Sequence, residues 1–259
     1  MQRRAGLWTV LALTVAWTTA AWASDGEALM RALDDSMATA GERITVQMTR
    51  TTGSGAPREA EFVMTTLAPL GEAARSKIVF TKPAGVAGTA VLTVEEEGKR
   101  SQWVYVPEVG MVRKLASPDR TEAFAGTDFT LEDLKLRSDF ANRSYRVLRT
   151  ESYEGAECTV IEDTAANEKE QKYSGYGKVL LWVEQGRWLV WKVEFFDEQG
   201  RLQKILTAHD LHQYGDRWRF DTAKMTHLLD GSTTTFAGSQ RETDVALTKS
   251  DFAPTVLGD

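Results

Sequence analysis

The clearest indication of the fold is in residues 177–212, which read GKVLLWVEQGRWLVWKVEFFDEQGRLQKILTAHDLH. Three runs rich in β-branched, aromatic and aliphatic residues follow one another, at Gly177–Glu184, Trp188–Phe196 and Leu202–His212. The joins between them carry Gln185-Gly186 and Gln199-Gly200, and short glycine turns of this kind connect antiparallel neighbours. The stretch therefore predicts three consecutive antiparallel strands.

The same two-residue alternation extends in both directions from this stretch. It begins at Arg43–Arg50, where Ile44, Val46 and Met48 share one face, and it ends at Ser232–Ala237. Within Trp188–Phe196 the alternation predicts one face made of Leu189, Trp191, Val193 and Phe195. The pattern predicts about eleven strands in an antiparallel meander, and a sheet of this size is expected to curl.

Two segments interrupt the strands. The first, Asp25–Ala40, repeats apolar residues three and four positions apart, which predicts a helix that ends at Gly41. The second, Ala116–Phe140, has little alternation and predicts a loop with a short helix, with Thr130 and Asp133 spaced as a capping pair. A long loop inside a compact domain is often functional, so this segment is a candidate part of the binding site.

The N-terminus has the pattern of an export signal. A basic start precedes a short apolar run, and Ala21-Trp22-Ala23 supplies small residues at a cleavage point. We predict a signal peptide at residues 1–23, cut after Ala23, and a mature protein that works in the periplasm. Residues 24–259 are expected to form a single domain. The alternative is an uncleaved N-terminal anchor.

Composition and charge disfavour several classes of protein. The chain has 31 basic and 37 acidic side chains and a net charge of −6. This acidic balance lacks the footprint of a nucleic-acid-binding protein, and it predicts only transient contact with anionic membranes. The single cysteine, Cys158, cannot form an internal disulfide. Its place in an apolar strand predicts a buried core residue rather than a reactive thiol.

The sequence has no recognisable catalytic or metal-binding constellation. His209 and His212 are three residues apart on a predicted strand, so they face opposite sides and cannot share one metal ion. The G-x-S-x-G nucleophile motif does not occur. Asp128, Glu132 and Asp133 are explained better as the start of a helix than as a catalytic carboxylate pair. We therefore predict a protein that is not an enzyme and uses no cofactor or metal.

One set of motifs resembles a known family. Trp103-Val104-Tyr105-Val106-Pro107 precedes the basic pair Arg113-Lys114, and Phe124-Ala125-Gly126-Thr127-Asp128-Phe129-Thr130-Leu131-Glu132-Asp133-Leu134 follows. This succession resembles the outer-membrane lipoprotein-sorting protein family, periplasmic relatives of the lipoprotein carrier LolA. Weaker similarities in the strands extend the resemblance over nearly all of residues 24–259.

The resemblance implies a mainly β fold, an unclosed antiparallel half-barrel with an N-terminal helix and a loop-helix lid that encloses an apolar cavity. It implies a soluble periplasmic carrier that shuttles the acyl chains of a lipoprotein or lipid between the inner and outer membranes. It also implies an inner-membrane partner, an RND/MMPL-type lipid exporter. The alternative is a non-catalytic accessory subunit of such an exporter. A secreted hydrolase is a third hypothesis, which the missing nucleophile and base disfavour.

The resemblance further assigns residues to the lid and to the cavity. The predicted lid residues are Arg113, Lys114, Phe124, Gly126, Asp128, Phe129, Leu131, Glu132, Asp133 and Leu134. The predicted lipid-binding cavity residues are Ile44, Val46, Met48, Phe62, Met64, Trp103, Tyr105, Trp182, Leu189, Trp191, Val193 and Phe195. The alternative for each of them is a place in a well-packed core. One hypothesis is that Asp128, with the neighbouring carboxylates, holds the lid shut against Arg113 or Lys114. The other is that Asp128 only caps the short helix.

Overall fold

The computed structural model describes residues 21–96, 99–115 and 120–258. The predicted signal peptide at residues 1–23 lies outside this part, apart from the three residues at which the first helix begins. The helices are α1 (Ala21–Ser36) and α2 (Glu168–Ser174). Within the described residues, neither helix is long and apolar enough to cross a bilayer.

Thirteen strands, counted over the described part of the chain, form one sheet. They are β1 (Thr39–Thr51), β2 (Arg58–Ala68), β3 (Ala74–Lys82), β4 (Ala90–Glu96), β5 (Lys99–Val106), β6 (Met111–Lys114), β7 (Arg143–Tyr153), β8 (Ala156–Ala165), β9 (Lys178–Glu184), β10 (Leu189–Phe196), β11 (Leu202–Tyr214), β12 (Arg217–His227) and β13 (Thr233–Thr243). Every neighbouring pair is antiparallel. The predicted antiparallel meander is confirmed, and the predicted number of about eleven strands is too low.

The order of the strands in the sheet shows which two strands form the free edges of the unclosed barrel. It runs β6-β5-β4-β3-β2-β1-β13-β12-β11-β10-β9-β8-β7. The first and last strands of the chain, β1 and β13, therefore pair in the middle of the sheet. The two edges are β6 and β7, which are consecutive in sequence. The segment between them has to connect the two edges, so topology places it across the open side of the half-barrel.

The sheet has two faces with different coverings. The inner face packs against α1 and against the segment between β6 and β7, whereas the outer face carries other apolar clusters. Part of the outer face lies under the C-terminal residues 247–257, through Phe252 and Leu257. Cys158 lies on the outer face, fully buried, which confirms the prediction of a core cysteine. Burial raises the pKa of its thiol to about 11, so the thiol stays protonated at neutral pH.

Helix α1 is displaced toward the N-terminus from the predicted span of 25–40. It ends at Ser36, and Gly41 lies inside β1 instead of ending the helix. A Cβ at Gly41 would come 1.9 Å from the backbone oxygen of Val245. A Cβ at Gly26 would come 2.4 Å from the backbone oxygen of Tyr145. Both glycines therefore serve close packing against another backbone rather than helix termination.

A β-bulge exchanges the faces of β10. Its pairing with β9 shifts between Val190 and Lys192. Val193 and Phe195 pack on the inner face, whereas Trp191 packs on the outer face. Leu189 precedes Val190, which is on the inner face, so Leu189 also points outward. The predicted single face of Leu189, Trp191, Val193 and Phe195 is therefore wrong, because one extra residue reverses the alternation.

Candidate functional site

Residues 120–142, between β6 and β7, form a lid on the inner face of the sheet, and we use this name for them. A short 3₁₀ turn, Phe124–Gly126, has left-handed backbone at Ala125 (φ 50°) and Gly126 (φ 69°). The amide of Phe124 donates to the carbonyl of Phe129 at 2.8 Å. The hydroxyl of Thr127 donates to the carbonyl of Phe124 at 2.7 Å. This compact loop holds Phe124 and Phe129 in fixed positions.

The two lid phenylalanines are buried against aromatic residues of the sheet. Phe124 and Phe129 are 5% and 3% exposed. Phe129 stacks on Phe236 with ring centroids 4.3 Å apart and an interplanar angle of 10°. Phe124 contacts Phe62 and Phe80, with both centroid distances at 6.2 Å. The lid is therefore anchored through its aromatic side chains, and each such pair contributes about 0.5–1.5 kcal/mol beyond its buried area.

Asp128 lies between these two phenylalanines, and its carboxylate is bound by three side chains of the sheet. The hydroxyls of Ser232 and Thr234 donate to it, each at 2.6 Å. The guanidinium of Arg50 donates to the same carboxylate at 3.1 Å. The side chain of Asp128 is only 4% exposed. Asp128 therefore links the lid to β1 and to the start of β13, and it does not cap a helix.

Asp133 makes a second buried link between the lid and the sheet. The ammonium of Lys204, on β11, lies 2.6 Å from its carboxylate, and these side chains are 3% and 1% exposed. Lys204 also donates to the backbone oxygen of Asp128 at 3.2 Å. The hydroxyl of Tyr176 donates to Asp133 at 2.7 Å. Burial, reinforced by the charge of Asp133, raises the pKa of Tyr176 well above its ordinary value, so Tyr176 stays a donor.

Glu132, Thr130 and Asp133 make further contacts within the lid. The carboxylate of Glu132 forms an ion pair with the guanidinium of Arg120 at 2.8 Å and lies 3.6 Å from the ammonium of Lys135. The amide of Thr130 donates to the carboxylate of Asp133 at 2.7 Å, and the amide of Asp133 donates to the hydroxyl of Thr130 at 3.3 Å. The predicted capping pair is thus present, although it closes a turn rather than a helix.

The predicted basic partners of the lid are wrong. Arg113 and Lys114 are exposed on the edge strand β6, and the ammonium of Lys114 lies over the ring of Trp103 at 5.1 Å. The lid turns inward toward β11 and β13, so its carboxylates meet Arg50 and Lys204 instead. Sequence analysis missed both of these residues. Arg50 ends a predicted strand and Lys204 lies within one, and no local signal distinguishes them from solvated lysines and arginines.

The residues predicted to line a cavity fall into several groups. Ile44, Val46, Met48, Phe62 and Met64 pack with Phe124 of the lid. Val193 and Phe195 pack with Phe129. We call these inner-face residues, together with Phe80 and Phe236, the apolar floor. Phe80 and Phe236 were missed, although both lie in or next to runs that alternate.

Five of the predicted cavity residues lie away from the apolar floor. Trp103 and Tyr105 pack with Leu92 beneath the C-terminal residues. Trp182 and Trp191 pack with Cys158 on the outer face. Leu189 is buried but belongs to neither floor cluster. Three of these residues are tryptophans, which are large and apolar, but the size of a side chain does not reveal the face on which a strand residue lies.

The clefts found along the described residues are lined mostly by residues with charged or polar side chains. The larger has a volume of about 1190 Å³ and is lined by residues of α1, the adjoining ends of β4 and β5, the lid and α2. The smaller, of about 310 Å³, lies beside Asp128 and Lys204. None of the predicted cavity residues lines either cleft. The apolar floor is instead filled by side chains of the lid.

Comparison with known proteins identifies the family. A family model described as an uncharacterized protein matches residues 72–259. The chain belongs to the DUF1329 family. No curated protein matches it in sequence.

Three solved structures share the architecture of this DUF1329 protein. A domain from Vibrio parahaemolyticus assigned to outer membrane lipoprotein sorting is 27% identical, with a TM-score of 0.81, over 92% of this chain and 100% of that one. A DUF1329 protein from Desulfovibrio piger is 24% identical, with a TM-score of 0.82, over 91% and 99%. The LolA superfamily protein NE2245 from Nitrosomonas europaea is 20% identical, with a TM-score of 0.68, over 88% and 97%. The predicted LolA-like fold is confirmed.

Proposed function

We propose that this DUF1329 protein is a non-catalytic periplasmic carrier that binds acyl chains of a lipoprotein or lipid on its apolar floor. The observation that carries the proposal is the packing of Phe124 and Phe129 on that floor. These lid side chains cover apolar side chains of several strands on the inner face. If the lid moves away, a trough lined by aliphatic and aromatic side chains becomes accessible.

The physical requirement for such a carrier is a covered apolar surface. Each CH₂ of an acyl chain costs about 0.8 kcal/mol when it is exposed to water, so a chain crosses an aqueous compartment only when it is enclosed. In this proposal the acyl chain replaces the lid phenylalanines on the floor. The replacement is close to balanced in free energy, because the apolar floor is covered both by the closed lid and by the bound acyl chain.

The polar contacts of the lid hold it in a closed position from which it can open. Asp128 and Asp133 bind partners on the sheet through buried ion pairs and hydrogen bonds. Buried ion pairs of this kind favour one geometry strongly while adding little net stability, because desolvation offsets their attraction. The lid therefore closes in a defined position, and cargo binding shifts the equilibrium toward an open lid.

The test is native mass spectrometry with lipid extraction on protein purified from the periplasm without detergent. We expect a co-purifying lipid or acylated peptide in the wild type. Val193→Trp fills the floor next to Phe129 and should remove that cargo. Val63→Trp is the matched control, since Val63 is half-buried between the inner-facing residues Phe62 and Met64 on β2 and so points to the other face.

The outcomes separate the proposals. Cargo that survives Val193→Trp, or wild-type protein that carries none and takes up none when lipid is added, would contradict the carrier. The intact mass of the same sample tests the predicted cleavage after Ala23.

Exposed apolar side chains support the alternative, an accessory subunit of an RND/MMPL-type exporter. Leu229 is 71% exposed in the turn between β12 and β13, and Met111 is 60% exposed at the start of β6. Leu229 lies in one turn and Met111 directly follows another at the same end of the sheet, where both side chains are accessible to a partner. Co-purification of the protein with an inner-membrane exporter, lost in Leu229→Ser, is the result that this alternative predicts.

A further inference from the structure

Three arginines converge on the inner face at the end of the apolar floor away from Asp128. Arg217 and Arg219 lie on β12, and they alternate with Asp221, Ala223 and Met225. Met225 and Ala223 belong to the inner-face core, so the arginines point to the same face. Arg241, on β13, reaches the same cluster through its contact with Asp221 at 2.9 Å.

The hydrogen bonds of Arg241 are satisfied within the protein. Its guanidinium binds the carboxylates of Glu42 and Asp221 and donates to the backbone oxygen of Phe220 at 3.1 Å. Asp221 also accepts from the hydroxyl of Tyr214 at 2.6 Å and contacts the ring of His212 at 2.8 Å. The carboxylates of Glu42 and Asp221 thus both bind Arg241.

Arg219 is left with unused donors. It is 7% exposed, and its Nη1 donates to the neighbouring backbone oxygen of Trp218 at 2.9 Å. Its Nε lies 3.7 Å from Glu42, too far for a hydrogen bond. In the described part of the chain, neither Nε nor Nη2 of Arg219 has a hydrogen-bond partner, and the same holds for Nη1 of Arg217.

The charges of the cluster are also unbalanced. Three guanidinium groups face two carboxylates, because the carboxylate of Asp216 next to Arg217 is exposed to solvent. Burial lowers the pKa of Arg219, and repulsion from Arg217 and Arg241 lowers it further against the attraction of Glu42. Buried polar groups normally have partners, so this arrangement suits an additional anion.

We propose that Arg219 and Arg217 bind the phosphate group of a lipid headgroup at the end of the apolar floor. Guanidinium groups bind phosphate oxygens through paired N–H donors, which Nε and Nη2 of Arg219 supply. The floor and the cluster adjoin along β12, because Ala223, two residues from Asp221 on the same face, packs against the floor residues around Phe129. The proposal rests on the carrier function and adds the class of cargo, namely a phosphate-bearing acyl lipid.

The test compares three probes by isothermal titration: a lysophosphatidic acid, a monoacylglycerol of the same chain length, and inorganic phosphate. We expect the wild type to bind the lysophosphatidic acid at least about tenfold more tightly than the monoacylglycerol, as one or two hydrogen bonds to a charged group would give. Arg219→Gln should abolish this difference. Arg43→Gln is the matched control, because Arg43 is exposed on β1 and pairs with Glu242.

The outcomes distinguish failure of the phosphate site from failure of the carrier. Equal binding of the two acyl probes by the wild type, or an unchanged preference in Arg219→Gln, overturns the phosphate site and leaves the carrier intact. Binding of inorganic phosphate alone, lost in Arg219→Gln, supports an anion site and overturns its lipid headgroup ligand and the carrier. No binding of any probe overturns both. Thermal unfolding checks the fold, and the variant should melt no lower than the wild type, because it removes a buried charge without a full set of partners.

Discussion

Asp128→Ala tests the role of the lid most directly. The substitution removes an acceptor that binds Ser232, Thr234 and Arg50. Ser232 keeps a second acceptor in Asp230 at 2.7 Å, and Arg50 is 21% exposed and can be hydrated. The loss is therefore smaller than for a fully buried pair, and we expect lid opening to become easier by about 2–3 kcal/mol.

Hydrogen exchange measures that opening. The amides of Phe124 and Leu131 donate to carbonyls of the lid at 2.8 and 2.9 Å, so both report on its integrity. A change of 2–3 kcal/mol should speed their exchange on the order of 30- to 150-fold. Amides of β12 should exchange at the wild-type rate, because the strand ladder is untouched. Uptake of a fluorescent fatty acid should accelerate in parallel.

The control for this experiment is Asp197→Ala. Asp197 also accepts charge-assisted hydrogen bonds, from Arg201 at 2.7 and 2.8 Å, but it lies in the exposed turn between β10 and β11. We expect no change in lid exchange or uptake in this variant. The reasoning would be refuted if Asp128→Ala lowered the melting temperature while lid exchange and uptake stayed at wild-type values.

Three further predictions follow from the same contacts. Phe129→Ala should lower the free energy of unfolding by about 3–5 kcal/mol in urea titration and increase acyl uptake; a loss below about 1 kcal/mol would contradict its stacking on Phe236. Lys204→Met leaves Asp133 buried without its cation and should cost about 3–5 kcal/mol by the same measurement; an unchanged midpoint would argue against that pair. The amide of Ser232 lowers the pKa of Asp230 from 3.8 to about 2, so its stabilisation is present above about pH 4 and lost toward pH 2. Asp230→Asn should accordingly melt below the wild type at pH 6 but not at pH 2, and an equal difference at both pH values would contradict this.

Much of the fold could be predicted because its signals are local. Alternation in 177–212 and the glycine turns within it specify strands and antiparallel joins over a few residues at a time. The same locality explains the correct reciprocal pair of Thr130 and Asp133, which are three residues apart. The errors in Trp188–Phe196 have a local cause too, since a single bulge reverses alternation and leaves no mark in the pattern of apolar residues.

Patterns along the chain were enough to predict an antiparallel meander, a lid between two strands and the acidic and aromatic residues of that lid. The residues that these contact are known only from the folded structure. Arg50 is 78 positions from Asp128, and Lys204 is 71 positions from Asp133. These partners meet because β1 pairs with β13 in the middle of the sheet and the lid crosses between the two edges. Pairing over such distances depends on how the whole sheet curls, and no spacing along the chain encodes it.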